Sequence, residues 1–127
     1  MPTPNDQTQK RSVILIVEDE PILRMQAVDM IEDAGFEAIE AHDAAKAVEI
    51  LENRLDIRVV FTDVDMPGTM DGLKLAALIR DRWPPIKLIV TSGIMDSKDI
   101  VIPAEVHFYP KPYREREIIE QIQCLAC

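Results

Sequence analysis

Apolar and polar positions along this chain alternate between two periods. Short unbroken runs at residues 13–17, 59–62, 88–90 and 106–110 each give way to a chemically useful polar residue: Glu18-Asp19-Glu20, Asp63, Thr91-Ser92-Gly93 and Lys111. Such runs, separated by helical patterns, read as buried parallel strands. Between the first two strands, Leu23, Ala27, Met30, Ile31 and Ala34 recur at helical spacing. Pro21 suits the first turn of that helix, where its missing N–H is no loss, and Gly35 suits its C′ position. Residues 36–41 read as the second strand. Asp43 is a candidate N-cap for a helix to about Asn53, with Ala44, Ala47, Val48 and Leu51 inward. After a connection at 55–58 and the strand at 59–62, Asp71 can cap a helix that turns Leu75, Leu78 and Ile79 inward and ends at Pro84-Pro85. Strands at 86–90 and 106–109 follow. Residues 94–105 carry only a weak helical pattern, with Asp96-Ser97 as a cap and Pro103 against a long helix. A last helix from Tyr113 to about Leu125 buries Ile118, Ile122 and Leu125. The order is β-α five times over, which requires right-handed crossovers and helices on both sheet faces.

The chain has 127 residues, of which 47% are apolar, so one domain with a real core is expected: a polar tail at 1–11, then 12–127. Its formal net charge of −9 argues against binding nucleic acid by general electrostatics and against an anionic membrane surface. No apolar run approaches the roughly 18–20 residues that span a bilayer, and the N-terminal stretch lacks the apolar segment of a secretory signal. A cytoplasmic protein is expected. Cys124 and Cys127 lie at the end of a helical pattern rather than at a helix start, and no second ligand pair accompanies them. They read as incidental thiols.

In an open α/β sheet the ligand site lies outside the carboxyl ends of the strands. Acids, a hydroxyl and an amine should therefore converge at one sheet edge. Oxygen ligands in an open cleft suit a hard divalent cation such as Mg²⁺. Asp63, alone at its strand tip, is a candidate ligand, nucleophile, or both; a carboxylate can attack phosphorus and form an aspartyl-phosphate. Lys111 offers a point charge for phosphate oxygens, and Thr91 and nearby N–H groups offer hydrogen bonds. His42 and His107 receive no role, and Trp83 reads as a helix-end packing residue.

At these residues the chain resembles the receiver domain of bacterial two-component response regulators. The matching pieces are Glu18-Asp19-Glu20, Phe61-Thr62-Asp63, Met66-Pro67-Gly68, Met70-Asp71-Gly72, Val90-Thr91-Ser92-Gly93 and Lys111-Pro112-Tyr113. The resemblance covers about residues 12–126. It implies a flavodoxin-like, doubly wound, five-stranded parallel sheet in the order 2-1-3-4-5 with five helices. It makes Asp63 the phosphoacceptor and Asp19 the principal Mg²⁺ ligand, with Glu18 its acidic neighbour and the Asp65 backbone carbonyl completing the metal site. Thr91 becomes the switch hydroxyl, Lys111 the family's lysine and Phe108 the aromatic switch.

The partners implied are a histidine kinase or phosphotransfer protein and a downstream protein target. Such a domain catalyses its own phosphorylation and dephosphorylation, without conventional substrate turnover. Residues 113–127 suffice only for the last helix, so a stand-alone receiver is expected. The resemblance also strengthens the expectation of a cis Lys111–Pro112 bond, since X-Pro bonds alone adopt cis cheaply.

Some features depart from the family pattern. The stretch from Pro67 to Asp71 is one residue longer than the commonest loop. Phe108 lacks a hydroxyl, Pro110 removes a donor before Lys111, Asp65 adds an acid beside the site and Gly93 leaves the opposing wall bare. Two other readings compete. Asp63-Val64-Asp65 resembles the Asp-x-Asp motif of haloacid-dehalogenase-type phosphatases, although there the acidic pair comes late. A pseudo-receiver would use the same fold only for docking.

Overall fold

The computed structural model describes residues 11–65, 71–93 and 105–126. Five strands form one sheet: β1 (Val13–Val17), β2 (Glu37–Ala41), β3 (Ile57–Asp63), β4 (Lys87–Ser92) and β5 (Val106–Pro110). All neighbours are parallel and the order is β2-β1-β3-β4-β5, as the family resemblance implies. The described helices are α1 (Pro21–Asp33), α2 (Ala44–Asn53), α3 (Gly72–Arg82) and α4 (Glu115–Leu125). The weak helical pattern at 94–105, counted above as one of five helices, falls almost wholly outside the described residues, as does the loop at 66–70.

The side-chain alternation of the central strands builds two cores. Ile14, Ile16, Val59, Phe61 and Ile89 pack with Ala27, Met30 and Ile31 of α1 and with Ile118 and Ile122 of α4. On the other face Val13, Leu15, Val17, Val60, Leu88 and Val90 pack with α2 and α3 through Ala47, Leu51, Leu75 and Ile79. Burial on both faces is what lets β1 and β4 run apolar without alternation.

The helix starts follow their capping residues. Glu20 caps α1 by accepting from the Ile22 N–H. Asp43 caps α2 by accepting from the Lys46 N–H at 2.8 Å, and Asp71 caps α3 by accepting from the N–H groups of Leu73 and Lys74. Gly35 takes φ +94°, the left-handed conformation expected just past α1. Trp83 ends α3 and carries the Arg82 guanidinium over its ring at 4.4 Å.

Two boundaries and one burial differ from the sequence reading. β3 begins at Ile57 rather than Val59, because the pairing with β1 jumps from Val13↔Ile57 to Ile14↔Val59. That irregularity lets Arg58 point outward, where it donates to the Ala126 carbonyl. α4 begins at Glu115, since Arg114, its N-cap, is extended and leaves Tyr113 outside the helix; the Lys111–Pro112 bond is cis, as expected. Leu23, expected on the inner face of α1, is 43% exposed. No described helix is long and apolar enough to cross a membrane.

Candidate functional site at the carboxyl edge of the sheet

The chain leaves β1 at Val17, and the Glu18 N–H donates to the Ala41 carbonyl at 3.1 Å, holding the turn against the end of β2. The Glu18 carboxylate accepts from the Glu20 N–H at 3.0 Å. Arg24, one turn into α1, donates to the Glu18 carbonyl at 3.0 Å and to the Glu40 carboxylate at 3.0 Å. The acidic turn is thus fixed by its own backbone and by an arginine that the sequence reading passed over, because a lone basic residue on an exposed helix turn carries no distinguishing pattern.

Asp63 sits at the tip of β3 and is 5% exposed. Its Oδ1 accepts from the Asp65 N–H at 3.2 Å, and its Oδ2 lies 3.2 Å from the Lys111 ammonium. Lys111 also approaches Glu18 at 3.9 Å. Glu18, Asp19 and Asp63 each place a carboxylate oxygen within 4.8 Å of the others. Two backbone contacts pin Asp63 from below. Thr91, its direct neighbour in β4, accepts from the Val64 N–H at 2.8 Å. The first residue of α3 is Gly72, where a Cβ would overlap the Asp63 carbonyl oxygen; the close approach of helix and strand needs that glycine.

The electrostatics are those of too many anions for one cation. Burial raises the Glu18 carboxyl to about 7, with Asp63 and Asp19 adding to the effect and Lys111 opposing it. Burial also raises Asp63, against the lowering pull of the Asp65 N–H and Lys111. A divalent cation between these oxygens would reverse the penalty, and an all-oxygen set with room for water suits a hard ion. The residues present therefore fit Mg²⁺.

The structure brings Glu18, Asp19, Asp63, Thr91 and Lys111 to one edge. The Asp65 side chain turns away from the cluster: its carboxylate accepts from the Ser92 hydroxyl at 3.0 and 3.1 Å and from the Gly93 N–H at 2.9 Å. It latches the β3–α3 connection to the tip of β4, while the Lys111 N–H donates to the Ser92 carbonyl at 2.8 Å and ties β5 to the same point. Phe108 is the register partner of Val90 and packs on the α2/α3 face. Tyr109, not Phe108, pairs with Thr91, and its hydroxyl donates to Gln121 of α4 at 3.0 Å. The family resemblance points to Phe108 as the aromatic switch; that Tyr109 is the residue in register with Thr91 emerges only from the β4–β5 pairing. Tyr113 stands edge-on to Phe61 at 5.7 Å.

Comparison with known proteins agrees with this geometry. The sensor kinase CckA of Brucella abortus (strain 2308) is 31% identical over 116 residues, covering 88% of this chain and 12% of that protein. The crystal structure of the receiver domain of the hybrid histidine kinase CckA superposes with a TM-score of 0.76 at 30% identity, covering 91% of this chain and 99% of that one. The response regulator TrrA of Thermotoga maritima, crystallised with Mg²⁺ and BeF, superposes at 0.81 with 23% identity, covering 90% and 98%, a likeness of fold alone. The chain spans between 12% and 48% of the length of curated relatives such as CckA and CpxR of Escherichia coli. Residues 14–123 match the response regulator receiver domain. An acidic pocket and a lysine at the carboxyl edge of a 2-1-3-4-5 sheet, together with that match, place the chain in the response regulator receiver domain family.

Proposed function

We propose that Asp63 is the phosphoacceptor of this receiver, that Mg²⁺ binds through Asp19 and Asp63 with Glu18 close by and the Asp65 carbonyl completing the set, and that the donor is a histidine kinase or phosphotransfer protein of the cytoplasm. The observation that carries this reading is the buried Asp63 carboxylate, 3.2 Å from the Lys111 ammonium and within a cluster of three acids whose oxygens lie within 4.8 Å.

An Asp63 oxygen attacks phosphorus and the bond to the donor breaks, its electron pair leaving with the donor. When bound, the metal screens the acids from the incoming anion. Lys111 follows the transferred phosphoryl oxygens with its point charge. Thr91, in direct register with Asp63, offers its hydroxyl to a phosphoryl oxygen, and the N–H groups around Ser92 lie at the same edge. The phosphorylated state then favours binding to a downstream protein target, limited by how differently the phosphoryl group interacts with the two conformations.

The test is labelling with phosphoramidate and Mg²⁺. The wild type should acquire one acid-labile phosphoryl group, and Asp63→Asn should acquire none while keeping its thermal unfolding transition. Labelling of Asp63→Asn at a comparable rate would remove the assignment.

A further inference from the structure

The turn between β1 and α1 carries Glu18 and Asp19, and its backbone is held on both sides of Glu18. The Glu18 N–H donates to the Ala41 carbonyl at 3.1 Å. The Glu18 carbonyl accepts from Nη1 of Arg24 at 3.0 Å. This second contact fixes the peptide plane that joins Glu18 to Asp19, because the peptide group is planar. The direction in which the Asp19 side chain leaves the backbone is set from that plane. The guanidinium is held in its turn. Its Nε donates to the Glu40 carboxylate at 3.0 Å, and Glu40 lies in β2 in register with Ile16 of β1. One side chain thus ties the acidic turn, α1 and the edge strand together. As an ion pair it contributes little to the folded state, since the Arg24 side chain is 21% exposed and that of Glu40 54%. Its chemistry suits orientation instead. Two nitrogens on one rigid plane meet two acceptors at once, where an ammonium offers a single point charge.

We propose that Arg24 is a positioning residue for the metal site: through the Glu18 carbonyl it aims the Asp19 carboxylate at the Mg²⁺ that Asp19 and Asp63 would share, an inference that rests on reading Glu18, Asp19 and Asp63 as that site. Glu40 orients the guanidinium and so acts one step further back. Arg24 itself bonds to the backbone and to Glu40, so it works through Asp19 rather than on the metal or the phosphoryl group. The sign of the effect separates positioning from charge. A cation close to three acids opposes the binding of Mg²⁺, so removing it by charge alone tightens the metal. Removing a group that aims a ligand loosens the metal.

The experiment is calorimetric titration of the whole chain with MgCl₂, in the wild type and in Arg24→Met, Arg24→Lys and Glu40→Gln. Arg24→Met should raise the Mg²⁺ Kd on the order of tenfold, as loss of a group that orients a metal ligand commonly does. Arg24→Lys keeps the charge but reaches one acceptor at a time, and its Kd should fall between the two. Glu40→Gln should shift the Kd in the same direction by less, with no further effect in the Arg24→Met background. Glu40→Gln carries the test if Arg24→Met does not fold. Labelling with phosphoramidate should need correspondingly more Mg²⁺ for its half-maximal rate, yet reach the wild-type plateau at saturating metal. Metal-free urea midpoints should stay close to that of the wild type. An unchanged or tighter Kd in Arg24→Met overturns the role. So does a lowered plateau with an unchanged Mg²⁺ requirement, or a loosening that tracks loss of the metal-free fold, either of which makes Arg24 a structural residue only. A wild type that binds no Mg²⁺ overturns the metal site itself; one that binds it while Arg24→Met is unmoved overturns the role of Arg24 alone.

Discussion

Strands β3 and β5 each deliver one charged side chain to the site, yet they are held very differently. β3 lies between β1 and β4, and every residue of it except Arg58 is buried. β5 pairs only with β4 among the described strands, and its five residues are half-buried or exposed. Asp63 is therefore held by Thr91 of β4 on one side, by the β1-paired Thr62 before it and by the close approach of Gly72. Lys111 is tethered by its own N–H and by its ion pair with Asp63. The lesson is a division of labour: the proposed acceptor is the fixed point, and the counter-charge rides on a strand held from one side only. Accommodation of a phosphoryl group at Asp63 should then run through the half-buried β5 and the helix α4 that follows it.

The sharpest test of this contrast is pH, because the inner strands hold the crowded acids. The Glu18 carboxyl, ordinarily near 4.5, is raised to about 7 in the fold. Its contribution to stability is complete below pH 4.5 and lost as pH climbs through about 7. Metal-free protein should therefore lose on the order of 2–3 kcal/mol between pH 4.5 and 8, measured by urea unfolding. Glu18→Gln should flatten the slope, and Mg²⁺ should restore stability at the alkaline end by mass action. A flat profile for the wild type would mean that the acids are not under strain.

Gly72→Ala comes next. A methyl group there meets the Asp63 carbonyl and the Val64 Cα. The cost should be about 1–3 kcal/mol, with slower labelling of Asp63. An unchanged unfolding midpoint would show that the tip of β3 yields, and the contrast with β5 would fail. Thr91→Ala probes the junction of the two regions. It should still accept phosphate at Asp63, while capture of the downstream target by the phosphorylated protein weakens about fivefold, the lower end of common coupling energies. Amide shifts on phosphorylation that cluster on α1 and α2, and spare β5 and α4, would contradict the proposed route. The smallest effect belongs to Tyr109→Phe, which removes only the hydrogen bond to Gln121. About 0.5–1.5 kcal/mol is expected, visible as a modest drop in thermal midpoint.

The division between strong and weak elements also explains what was legible in the sequence. The inner strands announce themselves as unbroken apolar runs ending in acids, so β1, β3 and Asp63 could be read directly. The caps at Asp43 and Asp71 could be read because side-chain capping is local chemistry. Ile57 and Arg58 were missed because a charged residue interrupts the run, and only the irregular pairing with β1 turns Arg58 outward. The strand order came from resemblance, since pairing between strands distant in the chain leaves no local pattern. Arg24, the Asp65–Ser92 latch and the Thr91–Tyr109 pairing all depend on register or on a turn closing, and no periodicity encodes them. Leu23 fits the apolar stripe of α1 by spacing, yet it lines an open cavity of about 430 Å³ and stays 43% exposed.

Glu18 and Lys111 lie near opposite ends of the chain, yet they meet 3.9 Å apart over Asp63. The site therefore has no partial version. A fragment ending before β5 lacks Lys111 and one starting after Asp19 lacks the acidic pair, so the proposed competence for phosphate should arrive only with the last strand to dock. Non-local pairing of this kind is slow to form and all-or-none once formed. If Asp63 is the acceptor, its labelling is thereby a folding assay: in a urea titration it should vanish together with the fluorescence change of Trp83, and a nascent chain should take no label until the sheet is whole.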